Sequence, residues 1–450
     1  MPESTFTNTL YTNDNLFILN GMNSNSIDLI YLDPPFNSKR FYAAPIGSKA
    51  AGSSFKDMWT WADVNEEYLN TLADNYPALT KFIASIGKIH SRAMMAYLTY
   101  MAQRIVEMHR ILKSTGSLYL HCDTTASHYL KIVLDEIFGR NNFRNEIIWE
   151  RTTDTGSSKA ISNRFPANTD VILFYSKSDE YLFNKQYDAY SQEYVSNKFT
   201  NNDNDGKGAY RWQVLRTYSQ KTFDKLNAEN KLKKTDTSKY YYYKQYFSES
   251  KGVRISNLWD ADDIIPIGPS AKESTGYPTQ KPLALLHRII KASSNEGDIV
   301  FDPFCGCATT CVAAQQLGRK WMGIDIEKQA VGILIERLSN DAGLFQDFVN
   351  TTIVPQRTDI AIELPSASVK ERLYKEQNGL CNACGTAFDI WNLEIDHLIP
   401  KAKGGGDYYE NYQLLCGSCN KIKGARPMEY LRLKIKTREE MMENKIIFGE

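Results

Sequence analysis

The chain has no long uninterrupted apolar run, no net charge and little cysteine, and each shortage removes a class of protein. No hydrophobic stretch reaches the roughly 20 residues of a membrane-spanning helix. The N-terminal Met1-Pro2-Glu3-Ser4-Thr5 lacks the basic start and apolar run of a secretory leader, so a soluble, cytoplasmic protein without a membrane partner is expected. Lys and Arg number 53 and so do Asp and Glu, which means that any nucleic-acid surface has to be local. Of the eight cysteines, Cys122, Cys305, Cys307 and Cys311 show no disulfide-like framework. Reduced thiols fit that compartment.

The other four cysteines carry the most specific signal. Cys381-x2-Cys384 and Cys416-x2-Cys419 are two knuckles whose four thiolates satisfy the tetrahedral demand of a structural Zn2+. Asp396-His397 and Asn411 lie between the knuckles and Asn420 follows the second, an arrangement suited to metal-assisted phosphodiester cleavage. Lys401, Lys403, Lys421, Lys423 and Arg426 surround it, so contact with DNA fits a cutting module and a docking module alike.

At 450 residues the chain should hold two or three domains. Ser26 to Leu32 reads as a strand ending at Asp33-Pro34-Pro35-Phe36, an amphipathic helix runs from about Arg92 to Lys113, and Gly116 to His121 is a strand followed by a helix to Phe138. The alternation resumes with a helix from Pro282, a strand Asp298 to Phe301, a helix after Thr309 and a strand from Lys320 to Asp325. A doubly wound, mostly parallel α/β sheet is expected. Between its halves, residues 151–262 hold 18 Lys and Arg against 14 Asp and Glu and many aromatics, including Tyr240 to Tyr243. Such a surface suits phosphate contact and base stacking, and equally a solvated lobe of packed tyrosines. Residues 351–368 read as a linker and a final helix is expected from Pro427 towards Glu443.

Two turns of the first domain carry chemistry. Asp302-Pro303-Phe304-Cys305-Gly306-Cys307-Ala308 joins a strand to a helix, where small residues let backbone N–H groups approach a ligand, and Asp325 ends the next strand, placed to bind ribose hydroxyls. Together they imply a nucleoside-bearing cofactor. In Asp33-Pro34-Pro35-Phe36 the prolines fix the backbone so that the carboxylate and carbonyls form acceptors suited to an exocyclic amine, with Phe36 free to stack on an extruded base.

The segments DPPFNSKR, GSLYLHCD, NEIIWERT, GYPTQKPLALL, DPFCGCATT and GIDIE, in this order, resemble the β-class amino-methyltransferases of DNA over about residues 10–345. The resemblance implies a catalytic half at 1–150, a target recognition region at 151–262 and a cofactor half at 263–350. It implies S-adenosylmethionine held by Asp302, Pro303, Phe304, Gly306, Asp325, Thr279 and Lys281, and double-stranded DNA as partner. Asp33 and the Pro34 carbonyl would localise the amine lone pair for in-line attack, with Pro35 and Phe36 completing the motif. The absence of any Pro-Cys dipeptide counts against the C5-cytosine route, and Asp rather than Ser at position 33 favours N6 of adenine over N4 of cytosine. Ala308 stands where the family usually has glycine, which a negative φ would tolerate.

Residues 369–428 resemble the HNH nucleases. That resemblance implies a ββα-metal fold, His397 as general base, Asn411 orienting the active loop, and Asp396 and Asn420 holding a catalytic Mg2+. His397 is the only histidine beyond residue 287, so no other imidazole is available there. Methylation alone with a zinc-stabilised docking tail, and action on RNA, stay open, as does a homodimer.

Overall fold

The apolar run before Asp33 forms the strand Ile27–Leu32, in which every residue but Asp28 is buried. Burial on both strand faces is the mark of a parallel sheet covered on both sides. The computed structural model describes residues 8–435 apart from 38–39, 46, 52–53, 65–71, 74, 153–162, 164, 269–270, 328, 343–347, 427, 429 and 433.

Among the described residues, nine strands form one sheet in the order Leu258–Trp259, Phe143–Glu150, Thr169–Ser176, Leu112–Cys122, Ile27–Leu32, Ile299–Asp302, Lys320–Asp325, Thr9–Thr12 and Val349–Thr351. Only Thr169–Ser176 runs antiparallel to its neighbours, and the α/β class read from the sequence stands. Crossover helices alternate with the strands. Arg92–Ile111 starts on Ser91, whose side chain accepts from the Met94 N–H, and buries Tyr97, Leu98, Met101, Ile105 and Met108 in the main core. Because Ile27–Leu32 and Ile299–Asp302 are adjacent and parallel, Asp33 and Asp302 meet at one sheet edge although more than half the chain separates them. Ligands of open α/β sheets bind at that edge.

Two boundaries differ from the sequence reading. Thr169–Ser176 belongs to the main sheet, and the separate compact unit is Lys185–Ser256, which carries 14 Lys and Arg against 8 Asp and Glu. Described by itself, this unit is a three-stranded antiparallel sheet of Leu232–Lys233, Tyr241–Tyr246 and Tyr210–Leu215. Its tyrosines do pack on one another: Tyr190 and Tyr194 stack at 4.9 Å, and the Arg211 guanidinium lies over both rings.

The stretch 351–368 is pinned at both ends. Thr358 N donates to Asn23 Oδ1 at 2.7 Å, Ser24 N to Asp359 Oδ2 at 2.9 Å, and Glu363 N to Asp407 O at 2.9 Å. Beyond it, Val369, Leu373, Leu393, Leu414 and Leu415 build a second small core. Of the expected terminal helix, Met428 and Leu431 pack into that core, while 427, 429, 433 and everything after 435 lie outside the described residues.

Ala308 corrects one expectation outright. Its φ is +57° and ψ 32°, left-handed and not negative. The helix Thr309–Gln316 begins at the next residue and Ala308 N already bonds Cys305 O at 2.6 Å, so the chain reverses within this one position. The methyl is wholly buried, which offsets the roughly 1–2 kcal/mol that a Cβ costs there. Ala308→Gly should therefore stay within about 1 kcal/mol of the parent, while Ala308→Val, branched and overpacked, should cost about 2 kcal/mol or more. Urea denaturation reads both; an unharmed valine variant would contradict the assigned backbone.

Candidate active sites

At the shared strand edge lies a cavity of about 550 Å3 lined by Asn15, Asp33, Pro34, Tyr277, Asp302 and Asp325 among others. All seven residues expected at the cofactor and the four of the Asp33 motif border it. Asp302 spans the turn, with Oδ1 accepting from Phe304 N at 3.0 Å and Oδ2 from the Thr310 hydroxyl. Gly306 N donates to Asp325 Oδ2 at 2.8 Å. Its φ is +51° and an added Cβ would lie 3.1 Å from the Tyr277 ring, so glycine is favoured on two grounds. Thr279 also has positive φ, +63°. Left-handed residues crowding one site are the kind of strain that ligand clamps retain.

The structure places Lys281 on the catalytic motif. Its ammonium donates to Asp33 Oδ2 and, at 3.2 Å, to Thr279 O. Among the described residues, Asp33 Oδ1 is buried with no hydrogen-bond partner. An unpaired buried carboxylate oxygen beside the cofactor turn is what an incoming N–H donor requires. Phe36 lies with one face against His121, ring centroids 6.1 Å apart.

Sequence reasoning passed over three groups here. Asn15 donates to the Pro303 carbonyl at 2.8 Å, and buried Arg104 holds both Asn15 and Asp14 while stacking on Tyr100. Asp14 is also the N-cap of Asn15–Gly21, a cue that could have found it. Arg104 sits inside an amphipathic helix and gives no such cue.

Burial pushes the Asp302 carboxyl up to about 7 and that of Asp325 up to about 6. Both lie above the unfolded value, so their contribution to stability is present at low pH and lost as pH rises through 6 and then 7. Cofactor binding that uses the charged carboxylates runs the other way. The S-adenosylmethionine dissociation constant should rise by about tenfold or more per unit as pH falls below about 6. Calorimetric titration from pH 8 to 5 tests this, and a flat affinity would remove these carboxylates from the binding step.

In the C-terminal module the strands Leu393–His397 and Tyr412–Cys416 pair antiparallel and the helix Gly417–Lys423 follows. The four Sγ atoms of Cys381, Cys384, Cys416 and Cys419 lie within 4.8 Å of one another, and Cys416 N donates to Cys381 Sγ at 3.3 Å. Four thiolates at about 2.3 Å from one ion need spacings of that order, so the set fits Zn2+.

His397 ends its strand, with Nε2 at 2.9 Å from Asp407 Oδ1. Burial would raise Asp407, but hydrogen bonds from Lys401, His397 and Tyr412 outweigh it and hold the carboxyl at about 2. Facing an ionised acceptor, Nε2 carries the hydrogen and Nδ1 keeps its lone pair. The sequence gives no spacing signal for Asp407. Asn411 is buried, accepting from Ile399 N at 2.8 Å and donating to the carbonyls of Ile399 and Gly406, which staples the loop behind His397.

The two residues expected at Mg2+ each have protein partners. Asp396 accepts from the ammonium of Lys423, itself 1 % exposed, and from Gln413, whereas Asn420 donates to Glu394 at 2.6 Å. With both side chains so engaged, they do not present a divalent ion with an open pair of ligands.

Residues 27–336 match the DNA methylase family of N6/N4 type, and residues 381–426 match HNH endonuclease. The chain belongs to the DNA methylase family and carries a C-terminal HNH domain. The Type II methyltransferase M.EcaI of Enterobacter cloacae is 29 % identical over 309 residues, 63 % of this chain and 66 % of that protein. The Mod subunit of the Type III restriction-modification enzyme StyLTI of Salmonella typhimurium is 26 % identical over 351 residues, 70 % of this chain and 50 % of that one. The DNA adenine methyltransferase YhdJ of Escherichia coli is 25 % identical over 330 residues, 73 % of this chain and 82 % of its own. The chain thus spans 66 % and 50 % of the first two relatives' lengths. Among the described residues no helix is long and apolar enough to cross a membrane.

Proposed function

We propose that this chain transfers the methyl group of S-adenosylmethionine to N6 of adenine in double-stranded DNA, and that its HNH domain, stapled by Zn2+, cleaves DNA. The observation that carries the first part is the free buried Oδ1 of Asp33 across the cavity from Asp302 and Asp325. Asp33 and Pro34 accept the amine hydrogens, Phe36 stacks on the extruded base, and Asp302, Phe304, Gly306, Asp325 and Thr279 hold the cofactor. Adenine is supported by Asp at position 33 and by the name of YhdJ. Basic, aromatic Lys185–Ser256 is the proposed recognition unit. For cleavage the supporting feature is the Asp407-held His397. A second reading, a tail that only docks on DNA, is favoured by Lys423 sitting on Asp396.

One experiment separates these. Unmethylated plasmid is incubated with the protein, S-adenosylmethionine and Mg2+, nicks are scored and modified bases mapped. N6-methyladenine at a fixed motif, with nicks that disappear in His397→Ala while methylation persists, supports both parts. N4-methylcytosine would overturn the adenine assignment. Methylation without nicks under any divalent metal would leave the docking tail.

A further inference from the structure

Attack of an amino nitrogen on a sulfonium methyl leaves that nitrogen with one proton too many, and the proton has to go somewhere within a closed site. Asp33 has one oxygen committed to Lys281. Behind the motif lies a second set of polar groups. The Tyr31 hydroxyl sits 2.9 Å from His121 Nδ1, and His121 Nε2 sits 3.2 Å from Asp170 Oδ2. Asp170 Oδ1 in turn takes the guanidinium of Arg151 at 2.9 Å. Tyr31, His121 and Asp170 come from three adjacent strands, Ile27–Leu32, Leu112–Cys122 and Thr169–Ser176. Tyr31 lines the same cavity as Asp33. His121 is wholly buried, and Phe36 and Trp149 close over it with ring centroids 6.1 and 5.7 Å away.

The direction of the hydrogens follows from the partners. Although burial works to raise it, the hydrogen bond from His121, helped by Lys281 and Arg151, holds the Asp170 carboxyl below the usual range. An ionised Asp170 only accepts, so in the neutral imidazole Nε2 carries the hydrogen and Nδ1 presents a lone pair. The Tyr31 hydroxyl must then donate to Nδ1. Its oxygen lone pairs are left for the cavity, which makes it an acceptor in a place where burial and the neighbouring acids Asp33, Asp302 and Asp170 keep it from ionising.

We propose that Tyr31, His121 and Asp170 form a relay that takes the proton released by the methylated amine. The nitrogen lone pair forms the N–CH3 bond as the S–CH3 bond breaks and its electron pair returns to sulfur, giving neutral S-adenosylhomocysteine. One N–H proton passes to the Tyr31 oxygen while the Tyr31 hydroxyl proton passes to His121 Nδ1. The imidazolium is held by Asp170, and after product release the proton leaves to water by the reverse path, restoring the starting state. Tyr31 is the member that meets the amine; His121 and Asp170 act through it.

The relay rests on the amine-methylation reading, and the test keeps the two apart. Single-turnover transfer from tritiated S-adenosylmethionine to unmethylated plasmid DNA is followed in H2O and D2O for the full chain and for Tyr31→Phe, His121→Asn and His121→Gln. Cofactor and DNA affinities are measured alongside. Expected is a parent that transfers more slowly in D2O, and variants that bind both ligands but transfer about a hundredfold more slowly. Asn keeps an acceptor at the Nδ1 position without the imidazole's ability to take a proton, so its failure to rescue is the sign of a relay. Variants that transfer at the parental rate with the parental isotope effect would overturn it. So would a loss of transfer that follows lost cofactor or DNA binding, or one rescued by Asn, since those mark a structural histidine. A parent that transfers no methyl to amines would instead remove the reading underneath.

Discussion

Asp33→Ala protein should bind S-adenosylmethionine and transfer almost none of its methyl groups. The buried Oδ1 is the one oxygen of the motif's carboxylate that no described residue engages, and it is fixed before the amine arrives. Losing one preorganised hydrogen-bonding group of this kind costs about 2.7–4 kcal/mol, or about a hundred- to a thousandfold in the chemical step. A second effect adds to it. The Lys281 side chain is 9 % exposed and its ammonium would lose its carboxylate, keeping the Thr279 carbonyl at 3.2 Å and the Phe36 ring at 5.7 Å. Asp33→Asn separates the two effects, because it keeps an acceptor for the amine while removing the charge that holds Lys281. Rapid-quench transfer and equilibrium dialysis measure the rate and the cofactor affinity. A rate within tenfold of the parent in the alanine variant would show that the amine is positioned by other groups.

The sites were legible in the sequence to the extent that a motif announced them. Asp33, Asp302 and Asp325 each end an apolar run and open a turn, and each lies at the same edge of the sheet in the structure. What could not be read is pairing across the chain. Lys281 was grouped with the cofactor residues by its motif, yet its ammonium is on Asp33, and sequence spacing says nothing of a contact between residues so far apart. Asp407 has no motif of its own, since its role depends on a loop folding back over His397. The strand Thr169–Ser176 is a different case. Its Val171-Ile172-Leu173-Phe174 run is a strand signal, but it lies within a basic, aromatic stretch and was averaged into it. The left-handed φ of Ala308 has the same origin: residue type points away from it, while the helix starting one residue later decides it.

Removal of zinc should unfold the C-terminal module and leave methyl transfer in place. The module's core is small, with Val369, Leu373, Leu393, Tyr412, Leu414, Leu415, Met428 and Leu431 around the three buried knuckle cysteines, Cys381, Cys416 and Cys419. A core of that size is marginal without a staple, and structural Zn2+ contributes on the order of 10 kcal/mol in small metal domains. The four sulfurs are tied to both halves of the module: Cys381 to the loop after Ala367–Glu376, and Cys416 to the end of Tyr412–Cys416. Cys381→Ser should therefore drop bound zinc from one equivalent to none and expose the module to protease. The damage stops at the boundary because the methyltransferase core is built from other residues, Ile30, Leu98, Met101 and Leu118 among them. It meets the module at contacts such as Asn20 Nδ2 to Gly404 O at 2.7 Å and the Lys403 ammonium over the Phe17 ring. Metal analysis, limited proteolysis and methyl transfer on the same preparation decide the matter. A Cys381→Ser protein that keeps its protease resistance without zinc would mean that the hydrophobic core alone holds the module. One that loses methyl transfer would mean that the Asn20–Gly404 contact fixes the helix whose first residue, Asn15, holds the Pro303 carbonyl of the cofactor turn.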